Sequence, residues 1–253
     1  MRRQLIAGNW KMNLDKAGAV ALAKGLAEQS AQVTGCDLAV MPPFVYVDAV
    51  AEALKGSRVA WGVQDCYFRE KGAFTGEISV AMAKDLGCTF AILGHSERRH
   101  VIGEDDALIN EKTLAVLAGG IVPVVCVGET ADERQSGNTL SVIRSQVDGS
   151  LAGLTAEQMA KTVIAYEPVW AIGTGLTATP AQAEEVHAAI RGMLAEKWGQ
   201  ATADAVVIQY GGSVKPDNAK ELLALPNVDG ALVGGAALKV DSFMGIIAGA
   251  QMQ

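Results

Sequence analysis

Glu167 sits between the apolar pairs Ala165-Tyr166 and Val169-Trp170, with Pro168 directly after it. A carboxylate among apolar groups loses solvation and becomes a stronger base. Removing a proton next to a carbonyl needs such a base on one side of the substrate. It also needs donors on the other side for the oxygen that gains charge. Taken alone, a glutamate here serves equally well as a salt-bridge partner. His95 lies between Gly94 and Ser96-Glu97-Arg98-Arg99. A helix starting at Ser96 would place partial positive charge beside the ring and keep it neutral. A neutral imidazole still donates an N–H to a developing oxyanion. His100, and His187 on a helix surface, are read as structural. Lys11 supplies a cation between Trp10 and Met12, which suggests that one face of this turn is buried. Asn9 either donates to a substrate or caps the end of its strand; both readings stay open.

These residues matter only if elements bring them together. Eight short apolar runs punctuate the chain: Leu5 to Ala7, Leu38 to Met41, Val59 to Trp61, Phe90 to Leu93, Ile121 to Val127, Val163 to Tyr166, Val206 to Ile208 and Ala231 to Val233. Each is bounded by Gly, Pro, Asn or charged residues, as a buried parallel strand is. Helical patterns lie between them. The clearest runs from Pro180 to about Trp198, with Thr179 as its cap and Pro180 in its first turn. Others start near Pro216 and after Glu104. Eight strands alternating with helices predict a single-domain (β/α)8 barrel over residues 1–253. The open doubly wound alternative lacks its G-x-G-x-x-G fingerprint here.

In such a barrel Asn9, Lys11, Gln64, His95 and Glu167 share the rim at the carboxyl ends of the strands, where barrel enzymes build their sites. Gly211-Gly212-Ser213 and Gly234-Gly235 follow strands seven and eight. Glycines there let the backbone approach an anion and offer it N–H groups. One Gly-Gly pair is as easily a tight turn; two pairs in these two loops favour phosphate. Ala171-Ile172-Gly173-Thr174-Gly175, just after Glu167, reads as a lid. Asp65 to Glu77 is unusually long for a barrel loop and carries Phe74 near its tip, an aromatic placed for burial.

The composition excludes other classes. The net charge is -7, against a nucleic-acid surface. No apolar run approaches the length of a membrane span, and Leu5 to Ala7 is too short for a signal peptide. Cys36, Cys66, Cys88 and Cys126 form no CxxC pair, which fits free thiols in a reducing, cytoplasmic compartment. No metal-ligand spacing occurs, so neither a metal nor a cofactor is expected.

Several motifs together resemble the triosephosphate isomerase family. They are Gly8-Asn9-Trp10-Lys11, Gly94 to Arg99, Ala165 to Gly175, Tyr210 to Val214 and Gly234-Gly235-Ala236. They stand in family order from Gly8 to beyond Ala236. The resemblance implies interconversion of dihydroxyacetone phosphate and D-glyceraldehyde 3-phosphate through an enediolate, a step of glycolysis and gluconeogenesis. It implies Glu167 as the proton shuttle and neutral His95 as the carbonyl-polarising donor. Asn9 and Lys11 would add electrostatic support. The backbones of Gly173, Ser213, Gly234 and Gly235 would hold the phosphate. It further implies a homodimer in which the Asp65–Glu77 loop enters a neighbouring subunit. One departure stands out: many family members have lysine where Leu176 follows the lid's last glycine.

Two other readings compete. A phosphosugar epimerase would need a metal or a second opposing carboxylate, and a Schiff-base lyase a lysine inside the barrel. A non-catalytic barrel would be expected to lose Lys11, His95 or Glu167, and all three are present.

Overall fold

A computed structural model describes residues 2–251. The first half of the described chain runs β1 (Gln4–Asn9), α1 (Lys16–Gln29), β2 (Cys36–Met41), α2 (Val47–Leu54), β3 (Val59–Val63), α3 (Val80–Asp85) and β4 (Phe90–Leu93). It continues with α4 (Asp106–Gly119), β5 (Val122–Val127), α5 (Ala131–Gln135), α6 (Thr139–Ser150), α7 (Ala156–Met159) and β6 (Val163–Tyr166). The last part is α8 (Pro180–Trp198), α9 (Gln200–Ala205), β7 (Ile208–Tyr210), α10 (Ala219–Leu223), β8 (Gly230–Val233) and α11 (Val240–Gln251). All strands pair in parallel with their sequence neighbours, and β8 closes onto β1, so the expected (β/α)8 barrel forms.

Strand alternation divides the apolar residues into two cores. Leu5, Ala7, Ala39, Met41, Ile92, Val124, Cys126, Val163, Ala165 and Leu232 fill the barrel interior. Ile6, Leu38, Val40, Leu93, Val125 and Ile164 point outward and join the helices in one larger core. The same alternation carries Asn9 and Glu167 inward, two residues beyond Ala7 and Ala165. His95 needs a different device. Ile92 faces inward, so continued alternation would send His95 to the helix side. Gly94, at φ +64°, turns the chain instead. A side chain there would meet Ile109 at 2.8 Å, so both backbone and space require glycine.

Three expectations shift. The seventh strand was expected over 206–208 and occupies Ile208–Tyr210. Val206 instead caps α9, its N–H donating to Thr202. The strand continues through Gln209, a polar residue that hid it. Gln209 is fully buried, and its amide donates to the carbonyls of Leu5 at 2.9 Å and Ala231 at 3.3 Å. The helix expected near Pro216 begins at Ala219, after a turn held by Asn218. His187, expected on a helix surface, is wholly buried.

Thr179 does cap α8, in a reciprocal capping box with Gln182 and with Pro180 in the first turn. The Asp65–Glu77 loop is closed at its base, where Tyr67 N–H donates to Ile78. Phe74 stacks on Tyr67 with ring centroids 4.9 Å apart and stays partly exposed. Asp65 anchors the loop to α4 through buried Lys112, 2.9 Å away. No described helix is long and apolar enough to cross a membrane.

Candidate active site

A cavity of about 380 Å³ opens at the carboxyl ends of the strands. Asn9, Lys11, His95, Glu167, Gly173, Ser213, Gly234 and Gly235 all line it. Every residue singled out from the sequence for chemistry or anion binding is therefore gathered around one space. Gln64 lies in the adjoining groove on the Lys11 side.

Lys11 reaches this rim at a cost. Its φ is +51°, a left-handed conformation that L side chains rarely adopt. Such a residue persists only where its surroundings over-determine it. Here Lys11 N–H donates to Asn9 Oδ1 at 3.0 Å, and Gln64 Nε2 donates to Lys11 O at 2.9 Å. Asn9 thus caps its strand through Oδ1 and also lines the cavity. Lys11 Nζ lies 2.6 Å from Glu97 Oε1.

Glu167 and His95 meet directly. Glu167 Oε1 is 2.8 Å from His95 Nε2, and Glu167 Oε2 accepts from the Ser96 backbone N–H at 2.8 Å. Both residues are buried. The Glu97 backbone N–H donates to His95 Nδ1 at 3.2 Å, so Nδ1 carries a lone pair. This geometry assigns the single ring proton to Nε2 and makes the imidazole neutral. The neutral ring was expected from a helix N-terminus. The Ser96 turn is short, leading straight into the turn of Arg98–Ile102, and the tautomer is held by the Glu97 N–H. Burial lowers the His95 pKa and the adjoining Glu167 carboxylate draws it above the usual range; the Glu97 N–H aimed at Nδ1 opposes a second ring proton all the same and holds the ring neutral.

Glu167 overturns a second expectation. Burial does push its pKa up, but His95, the Ser96 N–H and Lys11 together bring it below the ordinary glutamate value. In this conformation the carboxylate is a stabilised anion, not a strengthened base.

The backbone around Glu167 tolerates little. A Cβ on Gly128 would fall 1.7 Å from the Glu167 carbonyl oxygen. One on Gly211 would meet Glu167 Cγ at 2.8 Å, and one on Gly212 would strike the Tyr210 hydroxyl at 2.2 Å. Gly211 and Gly212 are therefore fixed by close packing. Gly235 has open space where a side chain would go, which leaves its surface accessible from the cavity.

Sequence reasoning missed Glu129. It lies two residues past β5, where the rule that found the other rim residues would have found it. Wholly buried, its Oε1 accepts from Tyr166 Oη at 3.1 Å, Trp170 Nε1 at 2.9 Å and Arg134 Nη1 at 3.2 Å. Its carbonyl also accepts from Val169 N–H. Glu129 thus clamps the start of the candidate lid. Beyond that clamp residues 173–177 are exposed, between buried Ala171 and Ala178. Gly173 and Gly175 take left-handed φ values of +69° and +83°. Cys126 is fully buried beside Glu167, and burial drives its thiol pKa far up.

Comparison with known proteins gives a consistent result. The family model for triosephosphate isomerase matches residues 4–250. The triosephosphate isomerase of Herpetosiphon aurantiacus is 57% identical over 247 residues, covering 98% of this chain and 99% of that protein. That of Rhodopirellula baltica is 54% identical over 246 residues, 97% of each chain. That of Carboxydothermus hydrogenoformans is 53% identical over 249 residues, 98% and 99% of the two chains.

Proposed function

The chain belongs to the triosephosphate isomerase family and interconverts dihydroxyacetone phosphate and D-glyceraldehyde 3-phosphate, a glycolytic step; on that premise we propose that Glu167 moves the proton and His95 polarises the carbonyl. The observation that carries this reading is the 2.8 Å contact between Glu167 Oε1 and His95 Nε2 on the wall of the cavity.

Both Glu167 oxygens are engaged, so the base is parked in this state. A substrate carbonyl that takes the His95 Nε2–H frees Oε1. Ile172 and Gly173 of the lid line the same cavity, so movement of the lid over the substrate would expel water. Having lost the ring donor in a drier site, the carboxylate feels more of the burial that raises its pKa, and it becomes the base that the sequence suggested. Glu167 takes a proton from the carbon beside the carbonyl, and the electron pair moves onto the carbonyl oxygen. That enediolate oxygen is held by His95, with Lys11 and Asn9 beside it. The hydroxyl proton on the carbon that Glu167 deprotonated then passes to that oxygen by way of His95 Nε2, and protonated Glu167 returns its proton to the former carbonyl carbon, leaving the new carbonyl beside it. Backbone N–H groups of Gly173, Ser213, Gly234 and Gly235 hold the phosphate. No step uses a metal or nucleotide.

The decisive test is a coupled assay on chelated, dialysed protein. It is expected to isomerise D-glyceraldehyde 3-phosphate without additives; inactivity overturns the reading.

The protein is further proposed to be a cytoplasmic homodimer. Four buried, unpaired cysteines support a reducing compartment. A groove beside the active site, lined by Lys11, Met12, Gln64, Val101 and Ile102, leaves Met12, Val101 and Ile102 strongly exposed. A second copy's Asp65–Glu77 loop, with Phe74 near its tip, is the proposed occupant. Light scattering is expected to give about twice the 26.3 kDa chain mass; a monomeric mass at micromolar concentration removes the proposal.

A further inference from the structure

We propose that Lys215 is a binding residue for the phosphate end of the substrate, supplying an uncompensated cation on the cavity wall. The inference rests on the isomerase reading above. Lys215 lines the cavity two residues beyond Ser213. Its backbone is fixed on both sides by Asn218: Lys215 N–H donates to Asn218 Oδ1 at 2.8 Å, and Asn218 Nδ2 donates to Ser213 O at 3.2 Å. The next residue, Pro216, packs against Gly245 of α11 so closely that a Cβ there would lie 2.9 Å from the proline. The ammonium therefore hangs from a rigid turn.

The charges around the cavity favour this role. Among the described residues Lys11 is the only other lysine or arginine on the cavity wall, and Glu97 lies 2.6 Å from its ammonium. Glu167 adds a negative charge beside a neutral His95. Among the described residues, no carboxylate lies within ion-pair distance of Lys215. Without Lys215 the local balance is one negative charge, inside a protein of net charge -7. The substrate phosphate carries close to two negative charges at neutral pH. An exposed, unpaired ammonium attracts it over about a Debye length, ~10 Å at ordinary salt. Because the ammonium is unpaired, phosphate need not displace a carboxylate to reach it. Backbone N–H groups would then fix the phosphate geometry, while Lys215 would govern capture.

The test compares Lys215→Gln and Lys215→Arg with wild type and with Lys24→Gln, an equal charge change on α1 away from the cavity. Lys215→Gln is expected to raise KM for D-glyceraldehyde 3-phosphate about two- to fivefold, the scale of one exposed charge contact, with kcat nearly unchanged. It should flatten the dependence of kcat/KM on salt and weaken inorganic phosphate binding, read by titration calorimetry, by a similar factor. Lys215→Arg should restore both values, and Lys24→Gln should leave them at wild type. Unchanged KM and phosphate affinity in Lys215→Gln, or equal losses in Lys24→Gln, overturn the proposal. A wild-type protein that binds phosphate but does not turn over would instead overturn the isomerase reading, while the phosphate titration still decides Lys215.

Discussion

Glu129 and Glu167 are buried carboxylates at the ends of neighbouring strands, β5 and β6, yet they occupy opposite sides of the barrel wall. Glu129 lies behind the wall, where three side chains converge on Oε1. All three donors belong to the protein, and no ligand can replace them. Glu167 lies in front, on the cavity, where its donors are a ring N–H and one backbone N–H. A substrate oxygen can take the ring N–H. A buried carboxylate whose donors are internal is a structural anchor; one whose donor a ligand can claim is poised for release. Burial alone does not distinguish the two.

The largest test of this contrast is Glu167→Ala. Turnover should fall by about 10²–10⁴-fold or more, the worth of a positioned base, while circular dichroism stays at wild type and the unfolding midpoint drops only modestly. Near-normal turnover would put the base elsewhere. Glu129→Ala should show the reverse emphasis. Removing it leaves Arg134, Trp170 and Tyr166 without their common acceptor, at a cost of about 3 kcal/mol in urea unfolding. Its loss of turnover should be smaller than that of Glu167→Ala. If Glu129→Ala unfolds like wild type, the clamp is not structural.

Tyr166→Phe removes one of Glu129's donors and keeps the ring. It should cost about 1 kcal/mol and leave the pH profile of turnover unmoved. The smallest effect is pH-dependent. The parked Glu167 has a pKa below the ordinary glutamate range, so its ionised form stabilises the fold. That contribution is complete above the unfolded-state value of about 4.3 and is lost as pH falls through the folded value. The stability gap between wild type and Glu167→Gln should therefore narrow as pH drops below about 4. A gap that widens there would mean Glu167 is not held as a stabilised anion.

The barrel was legible because its strands are short apolar runs set off by polar rim residues. Seven of the eight expected runs overlap their strands closely; the seventh slid because Gln209 is polar and buried. Polarity predicts exposure unless a partner exists, and the partners of Gln209, Leu5 and Ala231, are distant in sequence. The site's membership was legible too, since Asn9, Lys11, His95, Glu167 and the paired glycines all fall just beyond strands. Its electrostatics were not. The lowered pKa of Glu167 depends on the Ser96 N–H and the His95 ring, which only the closed barrel brings to it. Glu129 was legible by position, but nothing local reveals that Tyr166, Trp170 and Arg134 converge on it. His187 was misplaced because a histidine on an amphipathic helix gives no sign of which face it occupies.

Gly128 carries no functional group, yet the Glu167 carbonyl passes where its side chain would be. Any larger residue would push the end of β6 aside and take Glu167 with it. In a saturation library read out by growth that depends on the isomerisation, position 128 should therefore look as intolerant as position 167. A map of mutational sensitivity would mark it as a catalytic residue, although what is under selection there is empty space.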